Sequence, residues 1–260
     1  MTKDYRVLIP SKGRPKSLFR LFKACPSLNA PTTLLGLEEK EVPSYRFVLG
    51  ALMEHVTTVL IDNPGGWTSV AREQLRLEAM LHHRARRYVV TDDNCKFTDA
   101  SLKLLLLAQA RGGTDCVMAG ANPTFPHFHK EQIEATGQRD PEHGFITYDK
   151  VQMIYWCVPD GIYRKFAYPP NVYFDDIYLI FWAMSHGYVN FKVCLEALFD
   201  KKRHEPGGTG DGADRVRKVA TSMLKLAEDF PQWCTGGLVN IRPEYKRMLD
   251  AIKAGKKGFS

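Results

Sequence analysis

Short apolar runs alternate along this chain with longer stretches whose apolar residues recur at helical spacing. Arg6–Pro10 reads as a short buried strand, and Ser11–Arg14 after it as a turn-forming loop. Pro15 suits the opening of a helix, with Leu18, Leu21 and Phe22 on its apolar face. Thr32–Leu37 and Val56–Ile61 read as strands two and three. Between them a helix starting at Glu41–Pro43 carries Tyr45, Val48, Leu49 and Leu52. Asp62–Gly66 clusters turn residues and predicts a loop; Thr68 or Ser69 then caps a helix with Val70, Leu77, Met80 and Leu81 on one face. Arg87–Thr91 is strand four, Thr98 caps a helix to about Ala110, and Asp115–Ala119 is strand five.

This alternation predicts an α/β fold with a mostly parallel central sheet flanked by helices. Ligands of such sheets gather beyond the carboxyl ends of the strands, where Ser11–Arg14 and Asp92–Asn94 both fall. The second half departs from the alternation. Asn122–Gly144, rich in Pro, His and Gly, reads as a long functional loop and Val151–Val158 as a strand. A helix starts at Asp175 or Asp176 and stops at Gly187, followed by a strand over Val189–Leu198. A glycine-rich segment over Arg203–Gly212 precedes a helix from about Asp214 to Glu228. Nothing resembling a linker divides the chain, so a single domain is expected over 1–260. Within it, 1–120 carry the regular alternation, 121–212 the part that departs from it and 213–260 a basic helical tail.

Composition narrows the class. At 260 residues, 44% hydrophobic and 25% charged, the chain has the make-up of an ordinary soluble globular protein. No apolar run is long enough to span a membrane, and the first residues lack a signal peptide's apolar core, so a cytoplasmic protein is expected. The cysteines form no C-x-x-C pair and read as buried free thiols. A net charge of +7 implies an anionic partner such as nucleotide phosphates or nucleic acid.

Two acidic doublets could carry chemistry. Asp92-Asp93-Asn94, ending an apolar strand, is either a solvated turn or a set of oxygen ligands for Mg²⁺ or Mn²⁺. Asp175-Asp176, opening an apolar helix, is either a cap or the seat of a general base. Arg72 lies in the first turns of a helix, where an anion site is possible, and His204 sits in the glycine-rich segment. P-loop, Rossmann G-x-G-x-x-G, G-x-S-x-G and H-E-x-x-H motifs are all absent.

In order, the chain carries V-L-I-P-S-K-G-R-P, G-W-T-S-V-A-R-E-Q, Y-V-V-T-D-D-N, F-D-D-I-Y-L and R-H-E-P-G-G. This series resembles GT-A glycosyltransferases. More narrowly, it is similar to the phage TET-associated glycosyltransferases, which act on hypermodified DNA bases. The resemblance covers roughly 5–212 and implies a nucleotide sugar as co-substrate, with a UDP-sugar favoured, 1–120 as the nucleotide-sugar-binding half and 121–212 as the acceptor half. It implies that Pro10, Ser11, Arg14, Glu38, Arg72 and Asp92 bind the nucleotide sugar, Arg72 near the diphosphate. It implies Mn²⁺ or Mg²⁺ at Asp93, Asn94 and His204; Asn94 stands where the family's metal-binding aspartate is usual, and Glu73 where asparagine is usual. It places the catalytic pair at Asp175 and Asp176, with Asp176 as the base. The implied activity is hexose transfer to a hydroxymethylated pyrimidine, 5-hydroxymethylcytosine, in DNA. The competing readings are transfer to a polysaccharide or small molecule, a non-catalytic DNA-binding protein on the same scaffold, and a nucleotidyltransferase.

Overall fold

The computed structural model describes residues 3–95, 98–121, 153–194 and 212–230. Seven strands form one sheet: β1 (Lys3–Pro10), β2 (Thr33–Leu37), β3 (Thr57–Leu60), β4 (Ala85–Thr91), β5 (Cys116–Ala121), β6 (Met153–Pro159) and β7 (Val189–Cys194). Their order across the sheet is β3-β2-β1-β4-β6-β5-β7. The first four pair in parallel through β1, as β-α-β units require. β5 pairs in parallel with β7, and β6 runs antiparallel to both β4 and β5. The sheet is therefore mostly parallel, as the alternation predicts. β5, however, is not the neighbour of β4, because β6 is inserted between them from later in the chain.

The helices are α1 (Pro15–Ala24), α2 (Val42–Leu49), α3 (Thr68–His82), α4 (Asp99–Gly112), α5 (Asp160–Tyr163), α6 (Asp175–Ser185) and α7 (Gly212–Asp229). They cover the two faces of the sheet. One core gathers Val7, Ile9, Leu18, Phe22, Leu35, Tyr45, Val89 and Leu105; the other gathers Leu8, Leu34, Leu75, Val90, Trp156, Phe166 and Leu179. Consecutive residues of β1 and of β4 thus feed opposite cores, which is the strand's period of two with both faces covered. Cys25, Cys95 and Cys157 are buried thiols outside any disulfide.

Thr98 caps α4 as expected, its hydroxyl accepting from the Ser101 amide. α6 ends as its glycine predicts. Gly187 adopts φ +77°, and the Tyr188 amide reaches back to the Ala183 carbonyl, a Schellman closure.

α3 departs from expectation twice. Its N-cap is Trp67, and no side chain caps it. Ser69 is buried and instead accepts from the Val172 amide at 3.1 Å. The expected apolar face is also wrong: Leu77 and Leu81 are 44% and 70% exposed, while Ala71, Arg72, Leu75, Arg76 and Ala79 are buried. The sheet-facing stripe holds two arginines that are paired with carboxylates, so hydrophobicity alone picks the wrong side of this helix. Contact with β2 is tight: a Cβ on Gly36 would lie 3.0 Å from a Leu75 methyl.

The aromatic run from Tyr163 to Phe174 divides in two. Tyr163, Phe166 and Tyr168 are core, while Tyr173 and Phe174 are half-buried beside α6. The expected loop at 122–144, most of the glycine-rich segment at 203–212 and most of the basic tail lie outside the described residues. Among the described residues, no helix is long and apolar enough to cross a membrane.

Candidate active site

The carboxyl ends of β1, β2 and β4 and the start of α6 converge on one edge of the sheet, where two side-chain clusters form. The first begins at Ser11, directly after β1. Its hydroxyl donates to Asp93 Oδ2 at 2.5 Å and lies 2.6 Å from the Tyr45 hydroxyl. The Tyr45 hydroxyl also accepts from the Arg14 amide at 3.0 Å, tying α2 to the loop. Arg14 Nη1 approaches Asp93 Oδ1 at 3.5 Å. Burial pushes the Asp93 carboxyl up to about 6, against the pull of Arg14 and Ser11. Beside them, Lys12 pairs with Glu38 Oε1, and Lys40 holds Glu38 Oε2 at 2.7 Å. Burial alone would raise Glu38, but the two lysines outweigh it and lower its pKa.

The second cluster centres on Arg72, in the second turn of α3 and only 3% exposed. One of its nitrogens donates to Asp175 Oδ2, and the other to Asp92 Oδ1 at 2.6 Å. Its guanidinium lies over the Trp156 ring at 4.3 Å. Burial works against the arginine's charge; the attraction of Asp175 and Asp92 outweighs that and raises its pKa. Burial also raises Asp175 and Asp176, with Arg72 opposing the rise in both. Asp175 is buried and Asp176 half-buried. Successive helical residues point about 100° apart, so with Asp175 turned to Arg72 its neighbour faces another direction.

The entry to α6 is fixed from outside. Glu73 binds Arg76 through both carboxylate oxygens, at 2.6 and 2.8 Å, and accepts the Tyr168 amide at 2.9 Å. Ser222 of α7 accepts the Tyr173 amide. Glu73, the departure from the resembled motif, is thus a bracket for the chain leading to Asp175.

Of the sequence-predicted residues, Ser11, Arg14 and Asp93 share the first cluster, Glu38 lies beside it through Lys12, and Arg72, Asp92 and Asp175 share the second. Pro10 ends β1, and Asp176 follows Asp175 in α6. His204 lies outside the described residues. Among the described residues, no three His, Cys, Asp or Glu side chains gather closely enough to hold a metal ion. Asn94 Oδ1 is nonetheless buried without a hydrogen-bond partner. It is a hard oxygen donor of the kind that suits Mg²⁺ or Mn²⁺, whereas the two Asp93 oxygens face Ser11 and Arg14. Tyr45, Lys12 and Trp156 were not foreseen as site residues. Tyr45 gave only a helical apolar period, and no sequence signal distinguishes Trp156 from a core aromatic.

No protein-family model matches the chain, and no curated protein matches it. Solved structures do. Glucosyl-3-phosphoglycerate synthase from Mycobacterium tuberculosis, in complex with Mg²⁺ and UDP, superposes with a TM-score of 0.56 at 9% identity, over 88% of this chain and 80% of that one. A mannosyltransferase from Pyrobaculum calidifontis, in complex with GDP-Man and Mn²⁺, gives 0.55 at 13% identity, over 97% and 69%. TarS 1–349 from S. aureus gives 0.53 at 10% identity, over 95% and 69%. Identities this low speak to architecture alone, and there the finding is plain: this chain has a GT-A-like fold.

Proposed function

We propose that the protein is a nucleotide-sugar-dependent hexosyltransferase acting on a hydroxymethylated pyrimidine, 5-hydroxymethylcytosine, in DNA. The observation that carries the transferase reading is the meeting of the two aspartate doublets at one sheet edge, joined through Arg72, which reaches Asp175 across 103 residues of sequence and Asp92 across 20. The lysines and arginine of the first cluster beside them suit a nucleotide's phosphates. Pro10, Ser11, Arg14 and Glu38 would line the nucleotide pocket, with a UDP-sugar as the favoured donor.

Asp176 takes the proton of the acceptor hydroxyl. The acceptor oxygen bonds to the sugar's anomeric carbon as the bond from that carbon to the phosphate oxygen breaks, and the nucleoside diphosphate leaves. Asp93 and Asn94, with His204, are the residues that would hold Mg²⁺ or Mn²⁺, which when bound would offset charge on the departing diphosphate. The DNA acceptor rests on the motif resemblance and on the net charge of +7, which favours a phosphate backbone.

The test is a matrix of UDP- and GDP-sugars with Mg²⁺ or Mn²⁺ against DNA containing 5-hydroxymethylcytosine, read by mass spectrometry of the nucleosides. A hexose mass on that nucleoside, absent with Asp176→Asn, is the expected result. Donor consumption without a modified nucleoside would move the acceptor to a saccharide or small molecule. Pyrophosphate release would mark a nucleotidyltransferase. DNA binding with no donor consumed would leave a non-catalytic protein on this scaffold.

A further inference from the structure

The motif resemblance sets Arg72 against the donor's diphosphate, but its surroundings describe a different task. A phosphate clamp needs an accessible guanidinium with charge to spare. Arg72 is 3% exposed, and both terminal nitrogens are already engaged by Asp175 and Asp92. The formal count around it is one positive charge against three negative, those of Asp92, Asp175 and Asp176, a net −2. Its flat face is covered by Trp156 at 4.3 Å, which fixes the plane of the guanidinium and so the directions of its two bonds. Its Nε is buried without a partner, so the side chain is not arranged to satisfy its own donors. The geometry satisfies the two carboxylates instead.

We infer that Arg72 is a positioning residue: it braces Asp92 at the end of β4 to Asp175 at the start of α6, and thereby sets where Asp176 stands relative to the donor site. This inference rests on the transferase reading above. Groups from four elements meet at this one side chain: α3 carries it, β6 supplies Trp156, and the end of β4 and the start of α6 supply the two carboxylates. With Asp175 held inward, Asp176 is the member of the doublet turned elsewhere. A lysine at 72 would keep the charge but not the planar fork that bonds two carboxylates at fixed angles.

The test separates positioning from donor binding. UDP and GDP affinities are measured directly by calorimetry on the full chain, alongside kcat and donor KM. For Arg72→Lys, positioning predicts that kcat falls by ~100-fold while the affinity of the bound nucleoside diphosphate stays within ~threefold. A loss of affinity of ~tenfold or more, with kcat little changed, would overturn it in favour of a diphosphate clamp. If Arg72→Lys fails to fold, the double variant Arg72→Met with Asp175→Asn removes both members of the buried pair and leaves only Asp92, whose side chain is 35% exposed, without its arginine. Nucleotide affinity retained in that variant supports the brace, and affinity lost overturns it. Failure of the transferase reading looks different, since the unmodified chain then consumes no donor at all.

Discussion

The two clusters at the carboxyl edge handle buried charge in opposite ways. At the ends of β1 and β2, Lys12, Arg14 and Lys40 face Glu38, Asp93 and the half-buried Glu41, three charges of each sign. Between β4 and α6, one arginine answers Asp92 and Asp175, with Asp176 alongside. The first is balanced, and its lysines reach solvent, where an anionic ligand can engage them. The second attracts a proton or a cation, as expected of a site that must receive an acceptor's proton and tolerate positive charge developing on a sugar. A nucleotide sugar whose nucleotide lay over the first and whose anomeric carbon reached the second would meet each kind of charge where it helps.

Substitutions can break or sharpen this contrast. The largest effect is expected at Asp176. Asp176→Asn should cut kcat by ~10²–10⁴, the usual contribution of a general base, with the folded state intact by circular dichroism. Next is Arg72→Met, which strands two carboxylates in the second cluster and should cost about 3–5 kcal/mol in urea denaturation.

Asp93 tests the first cluster through pH. Its folded pKa is raised to about 6 from an ordinary 3.8. A raised acid contributes stability that is complete below its unfolded value and lost as pH rises through about 6. At pH ~8 Asp93→Asn should therefore be more stable than the wild type, by about 1–3 kcal/mol, and the gap should close below pH ~4. The smallest effect belongs to Tyr45→Phe. Losing the hydroxyl that holds Ser11 and the Arg14 amide should cost about 1–2 kcal/mol in denaturant midpoint measurements.

What the sequence disclosed follows from how local each signal is. The apolar runs of β1 and β4 and the cap at Thr98 are written in adjacent residues, and they are found where expected. The aspartate doublets stood out because like charges side by side in apolar surroundings need a reason. The buried face of α3 was misread because its reason lies far away: Arg72 is buried only because Asp175 and Asp92 come to meet it. The place of β6 was hidden for the same cause, since pairing partners so distant in sequence leave no mark in either segment. Glu73 looked like a departure from a motif, and only the Tyr168 amide and Arg76 show what it holds.

The insertion of β6 also sets the order in which the sheet can be completed. β4 pairs with β6 from Thr91–Tyr155 to Arg87–Pro159, and β5 pairs with the same strand on its other side. A nascent chain that has emerged only as far as Ala121 holds both strands but not the one that separates them. Until residue 159 is available, β4 offers an open backbone edge at what will become the middle of the sheet, and β5 has neither of its final neighbours. Synthesis thus passes through a window in which the interior of the finished protein is its stickiest surface, and the length of that window is written into the topology.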